Sequence, residues 1–68
     1  MKTLAYKMIG PIEIKLVARD QYNDYSVIYD HFLVVNGQEV YAGTNESHAF
    51  HAFNRAADYA AQYVASSP

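Results

Sequence analysis

The chain has 68 residues, 51% of them hydrophobic, a formal net charge of −2 and no cysteine. These values describe one folded domain and exclude disordered chains, disulfide staples and thiolate metal sites. They also argue against a compact nucleic-acid binder, which neutralises phosphate with a basic excess that Lys2, Lys7, Lys15, Arg19 and Arg55 do not supply.

The N-terminal stretch partly alternates, with Leu4, Tyr6 and Met8 on one side and Thr3, Ala5 and Lys7 on the other. Period two predicts a strand over 2–9. The stretch lacks the apolar core of a secretory signal. No later run reaches the ~20 apolar residues of a membrane-spanning helix, so a soluble, cytoplasmic protein is expected. Gly10-Pro11 interrupts the strand. Ile12, Ile14 and Leu16 then alternate with Glu13 and Lys15, predicting a half-buried strand over 12–18.

Arg19 to Asp24 is polar and reads as a loop. Tyr25 to Val35 is rich in β-branched and aromatic residues and should be the longest strand. It ends at Asn36-Gly37, a dipeptide that suits a type I′ turn. The returning strand is expected over 38–43. A two-residue turn fixes the register, placing Val35 opposite Gln38, Leu33 opposite Val40 and Phe32 opposite Tyr41. Val27, Tyr29, His31, Leu33, Val35, Val40 and Ala42 then share one face, which is assigned to the core. Ile28, Asp30, Phe32, Val34, Glu39 and Tyr41 share the other.

Thr44 or Asn45 is positioned to cap a helix over 46–65, with Glu46 in its first turn. At 100° steps Ala49, Phe50, Phe53, Ala57, Ala60, Ala61 and Val64 fall on one face, and His48, His51, Arg55, Asp58 and Gln62 on the opposite one. The doubled triplet HAFHAF therefore separates inside from outside: Phe in, His out. The fold expected is α+β: one domain over 1–68, a small antiparallel sheet of three or four strands packed on one C-terminal helix.

Little in this sequence reads as catalysis. The serines have no nucleophile signature around them, and Asp30 and His31 are strand neighbours that point to opposite faces. His48 and His51 lack the third and fourth ligands a metal needs, unless Glu46, Asp58 or a neighbouring chain supplies them. No enzyme activity, metal or cofactor is expected.

The segment HFLVVNGQEVYAGTNESHAFHAFNRAADYAAQYV is similar to the second half of double-stranded RNA-binding domains. The resemblance rests on Val34, Val35, Asn36-Gly37, Gly43, Ser47 and Ala56-Ala57. It implies a sheet packed on an alanine-rich C-terminal helix. The family's lysine cluster at the helix start is replaced by His48, Ala49 and Phe50, and its N-terminal helix has no counterpart.

The functional expectation is a protein-binding module, since apolar patches on small proteins mark association sites. Tyr22, Asp24, Tyr25, Ile28, Asp30, Phe32, Val34, Glu39 and Tyr41 are the candidate contact residues. Tyrosines would supply contact area and acids would face a basic partner. In size and character the chain is similar to small phage or mobile-element inhibitors of host defence, anti-CRISPR proteins among them. The expected partner is a nucleic-acid-binding complex. Two alternatives stand beside it: the aromatic face as a homodimer seam, and direct nucleic-acid binding by aromatic stacking.

Overall fold

The computed structural model describes residues 1–22 and 27–66. Four strands, β1 (Lys2–Ile9), β2 (Ile12–Tyr22), β3 (Val27–Val35) and β4 (Gln38–Tyr41), precede one helix, α1 (Glu46–Ser66). The strands form one antiparallel sheet in the order β1-β2-β3-β4. The α+β arrangement is therefore as the sequence predicts.

The turn between β3 and β4 is built as its residues dictate. Asn36 and Gly37 have φ of 49° and 84°, the two positive values of a type I′ turn. The pairs expected from Val35 with Gln38 to Phe32 with Tyr41 are found, but the expected pairing of His31 with Ala42 is not completed, because the His31 N–H bonds the Gly43 carbonyl instead. Asn36 also ties back to β2. Its N–H donates to the Glu13 carbonyl and its side-chain oxygen accepts from the Glu13 N–H, each at 2.9 Å.

Three expectations are corrected. Arg19 to Tyr22 is strand, because Arg19, Asp20, Gln21 and Tyr22 pair with Asp30, Tyr29, Ile28 and Val27. Among the described residues β2 spans 11 residues and β3 spans 9, and Tyr25 and Ser26, expected to open β3, lie outside them. A polar sequence at Arg19 to Tyr22 does not mean loop: Arg19 and Asp20 are exposed, yet their backbones pair with Asp30 and Tyr29 in continuation of the sheet. On β1, the register shifts between Thr3 and Ala5. This bulge lets both Leu4 and Ala5 pack on the core while Tyr6 and Met8 turn to the opposite face. Finally, β4 ends at Tyr41, two residues early. The His31 carbonyl accepts from the Ala42 N–H at 2.8 Å, but the His31 N–H reaches on to the Gly43 carbonyl at 2.9 Å. Two residues oppose one, and the chain leaves the sheet.

Asn45 is the cap of α1: its side-chain oxygen accepts the His48 N–H at 3.0 Å. The helix then crosses β1, β2 and β3. Ala49, Phe53, Ala57 and Ala60 are buried against Ile14 and Leu16, the two large side chains that are fully enclosed. Three of those four helix residues are alanines, which keeps the helix close to the sheet. At its far end Val64 lies over Gly10, whose φ is +55°; a β-carbon there would sit 3.2 Å from a Val64 methyl.

The helix is narrower than the sheet. Val40 and Tyr29, expected in the core, do face the helix side, yet they are 55% and 48% exposed because no helix covers them. Ala61 is likewise exposed and Phe50 only half-buried. The molecule measures 53 × 19 × 15 Å, with a radius of gyration of 13.4 Å. A compact domain of this length would give about 11 Å. Part of the excess comes from β2 and β3, which continue past β1 and β4 as a two-stranded ribbon.

Candidate functional site

The helix leaves one face of the sheet open, and the residues of that face follow from the register. Thr3, Tyr6 and Met8 come from β1, and Glu13, Lys15, Val17 and Arg19 from β2. Ile28, Asp30, Phe32 and Val34 come from β3, and Glu39 and Tyr41 from β4. The five expected residues of β3 and β4 other than Ile28 (Asp30, Phe32, Val34, Glu39, Tyr41) lie together with it on this one face. Tyr22 belongs to β2 through its backbone pairing with Val27. Asp24 and Tyr25 lie outside the described residues.

The apolar centre of this face is less bare than the sequence suggests. Val17 is 4% exposed although no helix lies above it. Ile28, Phe32 and Val34 are half-buried. The cover comes from the face's own long side chains. The Arg19 guanidinium sits 4.7 Å from the centre of the Phe32 ring, a cation–π contact. It reaches on to the Glu39 carboxylate at 3.4 Å. The ring of Tyr41 meets the edge of Phe32 with centroids 5.6 Å apart and 64° between planes. Its hydroxyl donates to Asp30 at 3.2 Å. Partial desolvation, and then the hydrogen bond and charge of Asp30, push the Tyr41 phenol above its ordinary value.

Around this centre stand the exposed apolar side chains Tyr6, Met8 and Tyr41. Tyr6 leans toward Glu13 at 3.5 Å, and Glu13 pairs with Lys15 at 3.7 Å. The charges of the face are Glu13, Asp30 and Glu39 against Lys15 and Arg19, so it is mixed and slightly acidic. Tyr6, Met8, Val17 and Arg19 were not anticipated as members. The signal was available for Val17, which continues the β2 alternation. The bulge at Leu4 hid Tyr6 and Met8.

His31 lies on the other side of the sheet, away from Asp30, and is 3% exposed. Its Nδ1 is 3.0 Å from the Gly43 carbonyl, an acceptor only, so Nδ1 carries the proton and donates. Backbone and ring of one residue thus hold the same carbonyl at the start of the turn into α1. A cleft of about 340 Å³ beside it is lined by Lys2, Leu4, Ala18, Tyr29, His31, Thr44 and Glu46. His48 and His51 are exposed on the outer side of α1. Among the described residues no three of His, Asp and Glu come together in a group able to hold a metal. Nor is any helix among them long and apolar enough to cross a membrane.

Comparison with known proteins returned no matching family model, no matching curated protein and no matching solved structure.

Proposed function

We propose that the chain is a non-catalytic protein-binding module that acts through the open face of its sheet. Its target in this reading is a nucleic-acid-processing complex, which it inhibits in the manner of small phage or mobile-element proteins such as anti-CRISPR proteins. The observation that carries the reading is the open face itself: Tyr6, Met8 and Tyr41 stand exposed around a half-buried Phe32 and Val34. Tyrosine and methionine at the rim of an apolar centre suit a protein contact. The interleaved acids disfavour a phosphate backbone.

Contact with a partner would work as follows. Arg19 and Glu39 form an exposed pair, which holds Phe32 covered at little energetic depth. A partner carboxylate that recruits Arg19, or a partner cation that recruits Glu39, opens the ring for burial. Phe32 and Tyr41 are then the anchors, and the charges around them set orientation.

The test is a competition assay. Purified nucleic-acid-binding effector complexes are offered labelled nucleic acid with and without the chain. Wild type should displace nucleic acid from one of them, and Tyr6→Lys and Phe32→Lys should lose this while keeping their circular dichroism. Binding of the labelled nucleic acid by the chain alone, or displacement that both variants retain, would refute the proposal.

A further inference from the structure

The two edges of the sheet are protected unequally. β1 carries Lys2 and Lys7 and the bulge at Leu4, devices that discourage another strand from pairing. β4 has neither lysine nor bulge within it; its only such devices are its four-residue length and Glu39. Gln38, Glu39, Val40 and Tyr41 are all exposed, with no Lys, Pro or internal bulge, and an apolar side chain stands on each face.

The ladder tells which backbone groups of β4 remain unused. In a two-residue hairpin the pair beside the turn, Val35 and Gln38, exchanges both backbone bonds, and bonded pairs recur at every second position. Leu33 with Val40 is the next such pair. The Ala42 N–H donating to the His31 carbonyl at 2.8 Å confirms the phase. Gln38 and Val40 are therefore bonded to β3. The N–H and C=O of Glu39 and Tyr41 point outward, away from the sheet.

We propose that β4 pairs antiparallel with β4 of a second copy, joining two sheets into one of eight strands. Bonded pairs across such a seam must join outward residues, so they involve only Glu39 and Tyr41 of each copy. A register centred on Glu39 sets two carboxylates directly opposite, and its next outward position is the turn residue Gly37. A register centred on Val40 does neither. It puts Glu39 against the partner's Tyr41 and Tyr41 against the partner's Glu39, for four backbone hydrogen bonds. Val40 meets its own copy on the helix side, in a non-bonded pair where side chains approach most closely.

This arrangement is self-complementary, as a two-fold interface requires, and that is why the occupant is a second copy rather than an unrelated strand. Both helices lie on the same side of the joined sheet, and both open faces on the other, so the dimer extends the face described above without covering it. The inference does not depend on the function proposed for that face.

The experiment is sedimentation velocity from micromolar to millimolar concentration, with amide hydrogen exchange, on wild type, Glu39→Pro and Val40→Lys. Pro at 39 removes an outward N–H and leaves every bond to β3 in place. Lys at 40 sets two charges across the axis at a position already exposed in the monomer. The expected result is a wild-type dimer with slowed exchange at Glu39 and Tyr41, and monomers for both variants with unchanged circular dichroism. Should Glu39→Pro fail to fold, Val40→Lys decides alone. A wild type that stays monomeric throughout overturns the proposal, as does a dimer that survives Val40→Lys.

Discussion

Phe53→Ala removes the one large side chain that α1 buries. Phe53 is 6% exposed and packs in the cluster built on Ile14 and Leu16, with alanines making up the rest of the helix contribution. The buried helix neighbours Ala49, Ala57 and Ala60 carry only methyl groups and cannot fill the space. The cost should therefore lie at the usual ~3–5 kcal/mol for a buried Phe→Ala change. A chain of this length has a total stability of roughly 3–10 kcal/mol. The loss is a large fraction of the whole, so the urea midpoint should fall steeply, and to zero where wild-type stability lies at the low end of that range. The half-buried Phe50 gives an internal comparison: Phe50→Ala should cost about half as much or less, since part of its ring already meets water. Urea titration followed by far-ultraviolet circular dichroism measures both. A cooperative Phe53→Ala transition within ~1 kcal/mol of wild type, or equal losses for the two variants, would refute the account of the core.

Asn45→Ala should lose about 1 kcal/mol in the same titration, because the His48 N–H is left without its cap. Gly10→Ala should destabilise by a similar amount or more. The new β-carbon meets Val64 at 3.2 Å and must hold φ near +55°. Asp30→Asn should bring the Tyr41 phenol down toward its ordinary value by removing the Asp30 charge, with the desolvation part remaining. NMR titration of labelled tyrosine reads this directly. The linked stability effect has a fixed sign: a phenol raised in the folded state contributes fully below the unfolded pKa, near 10, and loses that contribution as pH climbs through the folded value. A wild-type and Asp30→Asn difference that grew on acidification from pH 9 to 7 would contradict it.

Where local chemistry and tertiary packing agree, the sequence was readable. Asn36-Gly37 alone determined the β3–β4 register, and the period of HAFHAF sent Phe53 inward and both histidines outward. The misreadings share a cause. Polar Arg19 to Tyr22 reads as a loop because pattern rules score apolar alternation, while the backbone of this segment continues the pairing of β2 with β3. One extra residue at Leu4 inverted the faces of Tyr6 and Met8, and a bulge leaves no mark in alternation until pairing is known. Val40 was placed in the core by its face alone; the width of the helix, which decides its exposure, is a property of the assembled layer. The open face was foreseen in its β3 and β4 residues. Its cover by Arg19 was not, since that side chain comes from a strand segment read as loop.

Every strand of the sheet pairs with the strand next to it in sequence. This meander has a consequence for the order in which the structure forms. Each hairpin closes a short loop, so the sheet can zip in steps on the ~1–10 µs scale of isolated hairpins. The contact between Gly10 and Val64 instead joins opposite ends of the chain. It forms only when the helix lies down along its whole length. The sheet's apolar side stays wet until that moment, so docking of α1 completes the native state on a sheet that has already formed. Substitutions at the turn Asn36-Gly37 should then slow folding, and those at Val64 should chiefly hasten unfolding.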